Sequence, residues 1–277
     1  YNRGHEAIKV YNPITAELDE MRPSLLPNLL MGLKNNIARG YSNVALFEAG
    51  PEFYGRKPGE QLLAASGVRT GMTSKKHWSG EMRAYDVFDV KADALAAIAA
   101  ANGPYDSAQI SLDAPEYYHP GRSGALRLGK NVIAYFGEIH PLVCKKAGIK
   151  QKVMAFEVFL DNIPLPRQNH DKAKKKLELS PFQPIDKDLA FVVDKAVKAT
   201  DVIAAAKNAD RNHISEVQVF DVYEGENLPQ GKKSLALAIT FQPSENTFSD
   251  SDIEVLMKKV EVEVSKKCGG ELRDKAV

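Results

Sequence analysis

The 277-residue sequence has only two cysteines, one tryptophan and almost no net charge, +1 at neutral pH. Cys144 and Cys268 stand far apart in no metal-ligand spacing. That excludes a disulfide framework and reads as two reduced thiols of a cytoplasmic protein. No apolar run approaches the roughly 20 residues that a helix needs to cross a bilayer. The near-zero charge excludes a global field aimed at nucleic acid or an anionic membrane. No two glycines stand in a G-x-G spacing, so the dinucleotide fingerprint is absent, and there is no G-x-x-x-x-G-K-[ST] phosphate loop. C-x-x-C, H-E-x-x-H and G-x-S-x-G are missing too, which removes the common metal and serine-nucleophile signatures. The chain opens on Tyr1 without an initiator Met or a signal-peptide pattern, and reads as a fragment of something longer.

What is there is an ordinary globular composition, 44% apolar and 26% charged. The charge is unevenly placed. Residues 1–163 carry a net of +2, residues 164–179 a net of +3 and residues 180–277 a net of −4. The middle stretch begins with Pro164 and Pro166, ends in Lys172, Lys174, Lys175 and Lys176, and has no apolar periodicity. Prolines that fix extended backbone and lysines that repel one another make a linker, with a domain boundary near residue 175. The lysine run is read as a solvated connector.

Beyond the linker the pattern is legible. Asp188 to Asp194 alternates, with Leu189, Phe191 and Val193 on one face, as a strand does. Thr200 to Lys207 reads as a short helix capped by Thr200 or Asp201. Val217 to Glu224 and Ser234 to Gln242 read as strands flanking turn chemistry at Glu226 to Gly231. Ser249 and Asp252 have capping-box spacing for a helix that stops at Gly269-Gly270. A short strand, Glu271 to Asp274, ends the series. The order βαββαβ is the split ferredoxin-like arrangement, a four-stranded antiparallel sheet with both helices on one face. Ala190, Ala236, Ala238, Thr240 and Gln242 then fall on the open face. Such a face can hold single-stranded RNA, although the basic and aromatic signature of RNA-recognition modules is missing.

In the first domain, Leu25, Leu26, Leu29, Leu30, Leu33 and Ile37 form a broad apolar helical face within residues 22–39. It suits either its own domain's core or a partner. Val44 to Glu48, Leu62 to Val68, Ala125 to Leu128, Val132 to Phe136 and Met154 to Leu160 read as strands, and Lys91 to Asn102 as an alanine-rich helix. Strands in adjacent runs predict an α+β fold, a mainly antiparallel sheet with flanking helices. The run His119 to Gly124 has the look of an anion-cradling turn, weighed against a rigid turn whose Arg122 pairs with a local carboxylate. Glu138 and His140 read as structural, and Trp78 as a packing anchor.

Taken in order, Met21-Arg22-Pro23-Ser24-Leu25-Leu26-Pro27, Leu46-Phe47-Glu48-Ala49-Gly50, His119-Pro120-Gly121-Arg122-Ser123, Gly137-Glu138-Ile139-His140-Pro141, Lys187-Asp188-Leu189-Ala190, Phe220-Asp221-Val222-Tyr223-Glu224-Gly225 and Lys233-Ser234-Leu235-Ala236 resemble the C-terminal part of the bacterial phenylalanyl-tRNA synthetase beta subunit. The resemblance runs through nearly the whole chain. It implies that residues 1–163 are a class II synthetase-like core that has lost catalysis, and that residues 180–277 are a ferredoxin-fold anticodon-binding domain. It further implies an alpha subunit that performs ATP-dependent aminoacylation, a heterotetramer, and tRNA(Phe) as partner. ATP and magnesium then belong to the full enzyme, with no cofactor in this fragment. Lys187 stands where the family commonly has arginine, keeping the charge without the bidentate fork.

The alternative from another class is a free-standing ferredoxin-like sensing or interaction module. For RNA contact the candidates are Lys187, Lys232, Lys233, Gln242 and Arg273, donors near the open sheet or its rims. No catalytic or metal-binding residue is expected.

Overall fold

The computed structural model describes residues 8–16, 18–80, 82–164, 180–244 and 246–273. Most of the expected linker and Asp274 therefore lie outside the described residues. The chain divides into two compact units, residues 1–170 and 171–277.

The first unit is built on a six-stranded antiparallel sheet. Its strands are β1 (Val44–Phe53), β2 (Gln61–Thr70), β3 (Gln109–Ser111), β4 (Tyr118–Leu128), β5 (Asn131–Ile139) and β6 (Met154–Phe159), ordered β1-β2-β6-β5-β4-β3. Helices α1 (Leu26–Ala38) and α3 (Pro141–Ala147) lie over one face and α2 (Val87–Ala100) over the other. Alternation decides which residue goes where. On β6, Ala155 and Phe159 join the core under α1, whereas Met154, Phe156 and Val158 join the core under α2.

The leucine face of α1 is buried within its own unit, through Leu25, Leu26, Leu29, Leu30 and Leu33. It is core, not a surface awaiting a partner. The start of α1 is satisfied from outside the helix. The Glu52 carboxylate on β1 accepts the Leu25 N–H at 2.9 Å, and the Ser24 hydroxyl accepts the Leu26 N–H at 3.2 Å. A carboxylate at this end also opposes the positive pole of the helix dipole. Helix α2 begins four residues before the expected Lys91, because Asp86 and Asp89 form a capping box in which each side chain bonds the other's backbone N–H. Trp78 corrects another expectation. It is 93% exposed and anchors no core.

The second unit has the order β7 (Ile185–Asp194), α4 (Ala199–Ala209), β8 (Ile214–Tyr223), β9 (Lys232–Phe241), α5 (Asp250–Cys268) and β10 (Glu271–Leu272). The sheet runs β10-β7-β9-β8 with every neighbour antiparallel, the ferredoxin-like arrangement. Both helices pack on the face formed by Leu189, Phe191, Val193, Leu235, Leu237, Ile239 and Phe241. Helix α5 starts at the Ser249–Asp252 capping box and ends at Gly269, whose φ of 61° is the left-handed C-cap that glycine adopts without strain. Helix α4 lacks the expected cap. Its N-cap is Lys198, with no side-chain bond, and Thr200 and Asp201 already lie inside the first turn.

Candidate nucleic-acid interface

The helix-free face of the second sheet can be read off its register. Across β7, β9 and β8 the rows are Asp186–Thr240–Glu216, Asp188–Ala238–Gln218, Ala190–Ala236–Asp221 and Val192–Ser234–Tyr223. Small residues fill the central strand and carboxylates line both flanks. The Asp186 carboxylate accepts the Thr240 hydroxyl at 2.7 Å. Glu271 on β10 continues the last row beyond Val192.

Over this face lies one aromatic–cation pair. The Arg273 guanidinium sits 5.3 Å above the ring centroid of Tyr223, while the Arg273 N–H bonds the Ala190 carbonyl at 2.7 Å. The two residues come from opposite edges of the sheet, so the pair bridges β7 and β9. Ser234, on the row between them, is only 3% exposed. A tyrosine ring with a planar cation over it, flanked by small side chains, offers a π surface on which an unpaired base can stack.

The five expected RNA-contact residues are placed differently from one another. Arg273 belongs to the bridge. Gln242 is committed to the fold, its Nε2 donating to the Phe182 carbonyl at 2.9 Å and to the Pro243 carbonyl at 3.4 Å. Lys233 donates to the Lys195 carbonyl at 3.0 Å, and Lys232 lies 3.5 Å from the Asp194 carboxylate. Lys187 is exposed on β7 with the parity of Leu189, beyond the helix-covered core and not on the open face. Tyr223 and the flanking carboxylates were missed by sequence reading. Strict alternation from Val219 assigns Tyr223 to the core side. A bulge between Val219 and Asp221 inserts Phe220 and turns Asp221 and Tyr223 to the open face.

In the first unit the run His119 to Gly124 is no free turn. It belongs to β4, where a register shift between Tyr118 and Ser123 leaves residues 119–122 opposite Glu138 alone. The Arg122 guanidinium grips the Glu138 carboxylate at 2.6 and 3.1 Å, and the Ser123 hydroxyl donates to the His119 carbonyl at 2.6 Å. The His119 Nδ1 accepts the Gly121 N–H at 3.0 Å. The cradle is filled by its own side chains, so the rigid-turn reading holds. His140 is the N-cap of α3, accepting the Leu142 N–H at 3.2 Å. Burial pushes the Cys144 thiol up to about 11, which leaves it a poor nucleophile. Among the described residues no group of three or more His, Cys, Asp and Glu side chains is placed to hold a metal ion.

The Arg122–Glu138 pair gives a pH-dependent expectation. Burial alone raises the Glu138 carboxyl, but bonds from Arg122, with the charges of Arg122, Lys152 and His119, outweigh it and hold the carboxyl below its ordinary 4.5. A carboxylate lowered on folding stabilises the fold above its unfolded pKa and loses that contribution as pH falls through the folded value. Arg122→Ala is therefore expected to lower the melting temperature by a few degrees at neutral pH, with the difference from wild type shrinking below about pH 4. Calorimetry across that range checks it. A difference that does not change with pH contradicts it.

Comparison with known proteins bears on both units. Residues 2–160 match the family model described as the phenylalanyl tRNA synthetase beta chain CLM domain, and residues 180–273 match the ferredoxin-fold anticodon binding domain. Three relatives are named phenylalanine–tRNA ligase beta subunit. That of Rhodospirillum rubrum is 48% identical over 273 residues, that of Paramagnetospirillum magneticum 46% and that of Bradyrhizobium diazoefficiens 47%. Each alignment covers 99% of this chain and 34% of the relative, so the chain spans about a third of their length. Among solved structures, pyrrolysyl-tRNA synthetase from Desulfitobacterium hafniense superposes on 58% of this chain and 53% of its own at a TM-score of 0.41 and 12% identity, a likeness too slight to argue from. With one family domain matched on each sheet, at high identity throughout, the chain belongs to the phenylalanyl-tRNA synthetase beta chain family.

Proposed function

We propose that the chain serves a phenylalanine–tRNA ligase without carrying its catalysis. The second unit meets the anticodon end of tRNA(Phe), and the first supports the catalytic alpha subunit. ATP and magnesium act in that subunit during aminoacylation. The observation that carries the tRNA contact is the Tyr223–Arg273 bridge over the open face. Its surroundings favour a base over a phosphate, since Asp188, Glu216 and Asp221 are exposed carboxylates that repel the backbone. The contact then reads a base that the rest of the enzyme delivers, and needs little phosphate neutralisation.

For the alpha subunit the support lies in the sheet of the first unit. Strand β1 is an edge strand, with Arg22 occupying its outer side near Pro51 and Phe53. Beside it a groove of about 370 Å³ is lined by Ala45, Phe47, Ala96, Ala97 and the Arg69–Asp93 ion pair. Phe47 is 63% exposed in that groove. A sheet edge next to an exposed aromatic is a surface that a folded protein normally covers.

The tRNA contact is tested by titrating the chain with tRNA(Phe) transcripts that differ only in the anticodon. Tyr223→Ala is expected to weaken binding about tenfold, the scale of one lost base stack. Replacing the anticodon should have a similar effect, and the loss should change little with salt. Equal affinities for both transcripts and for the variant would remove the open face from the interface.

A further inference from the structure

We propose that the loop joining β2 to α2 is a second contact for single-stranded RNA, with Trp78 as the stacking platform and Lys75 and Lys76 as the phosphate partners. The loop belongs to the first unit, whereas Tyr223 belongs to the second, and the contact goes beyond the anticodon.

The root of the loop is fixed. Met72 and Ala84 form an isolated antiparallel bridge, the Thr73 N–H bonds the Arg83 carbonyl at 2.9 Å, and the Tyr85 N–H bonds the Gly71 carbonyl at 3.2 Å. Arg83 is held by the Asp89 carboxylate at 2.7 and 2.8 Å. Arg69 binds Asp93 and lies 5.2 Å from the centroid of the Tyr85 ring. The cations at the root are thus committed to α2 and its cap.

The tip is the opposite. Residues 74–80 are all exposed, and carry two lysines and a histidine with no acid. The Trp78 indole is 93% exposed and stacks on the His77 imidazole with centroids 5.7 Å apart and planes 28° from parallel. The imidazole is itself oriented, its Nδ1 accepting the Ser79 N–H at 3.2 Å. An indole backed by a second ring and preceded by two ammonium groups that have no partner among the described residues matches a partner with flat apolar faces and regularly spaced negative charge. Single-stranded RNA has both, and base–aromatic stacking with phosphate neutralisation is how such strands are held. An acidic peptide answers the lysines but offers the indole nothing in particular. If the chain serves a tRNA ligase, the RNA is present.

Trp78 is the only tryptophan in the chain, so its emission reports on the loop alone. The full chain would be titrated with a short oligouridylate. Quenching of the indole emission in step with binding is expected, along with protection from iodide. Lys75→Ala with Lys76→Ala should weaken the quenching and flatten the salt dependence of this site by about 1.4 in log–log slope, two single-strand phosphates at about 0.7 each. Trp78→Ala should weaken oligouridylate binding about tenfold. These residues lie at an exposed tip, so an unchanged melting temperature is expected and shows that the fold is intact. In Tyr223→Ala the quenching should persist, which separates this site from the open sheet face. Unchanged emission while oligouridylate demonstrably binds would overturn the proposal. So would equal quenching by polyglutamate or by anionic vesicles, which would assign the loop to an acidic protein or a lipid surface.

Discussion

Replacing Glu157 with alanine is expected to destabilise the first unit by about 4 kcal/mol and lower its melting temperature by roughly 10 °C. Glu157 is on the central strand β6 and fully buried on the face under α1. Its carboxylate accepts the Ser24 hydroxyl at 2.8 Å, the Tyr117 hydroxyl at 2.7 Å and the Tyr118 hydroxyl at 3.3 Å. Ser24 in turn satisfies the start of α1, so one side chain ties the sheet, the helix entry and the approach to β4 together. Alanine takes this acceptor from all three hydroxyls and leaves a cavity in its place. A buried polar group that loses its partner costs about 1–3 kcal/mol, and the cavity adds to that. Glu157→Gln keeps an acceptor oxygen and should lose about half as much. Urea unfolding measures both. A loss below about 1 kcal/mol for the alanine variant would show that the network is incidental. Binding of tRNA at Tyr223 should survive in either variant wherever the second unit stays folded.

Gly137→Ala has the next largest expected effect, about 3 kcal/mol. Gly137 has a φ of 149° and pairs with Ser123 at the end of the β4 bulge. A methyl group there would lie 2.5 Å from the Ser123 Cα and 2.6 Å from the Arg122 carbonyl oxygen. Backbone, not a flexible side-chain end, must move, and the positive φ adds strain of its own. The residue that must shift holds Arg122 against Glu138, so the pH-dependent part of the stability should weaken as well. The expected result is a melting temperature lower by several degrees with a flatter acid limb. A shift within about 2 °C would mean that the bulge accommodates a side chain.

Local chemistry made most of the fold legible. In the second unit, alternation at Leu189, Phe191 and Val193, a capping box at Ser249 and a terminating glycine at Gly269 each act within a few residues of where they are written. These give the βαββαβ order directly. The first unit was harder because its signals are remote. Helix α1 is capped by Glu52, 27 residues away in sequence, and no window-based reading sees that bond. Helix α3 is seven residues long and begins on His140-Pro141, too short for a periodic pattern.

The candidate site failed to show for a sharper reason. Tyr223 faces the open side of the sheet only because Phe220 is an extra residue in β8, and one inserted residue flips every side chain after it. Lysines near the sheet are in part already used by the fold, as with Lys233, whose ammonium holds a backbone carbonyl. Arg273 is close in sequence to a recognisable last strand, which puts it beside the sheet. Its partner Tyr223 lies 50 residues earlier and is joined to it only by the sheet order β10-β7-β9-β8.

The most direct measurement is co-expression of the chain with the cognate phenylalanyl-tRNA synthetase alpha subunit, followed by size-exclusion chromatography with light scattering. The account predicts one peak that contains both chains, with Phe47→Asp in the groove beside β1 splitting it. Two separate peaks for the wild-type chain would contradict the claim that this region supports the catalytic subunit.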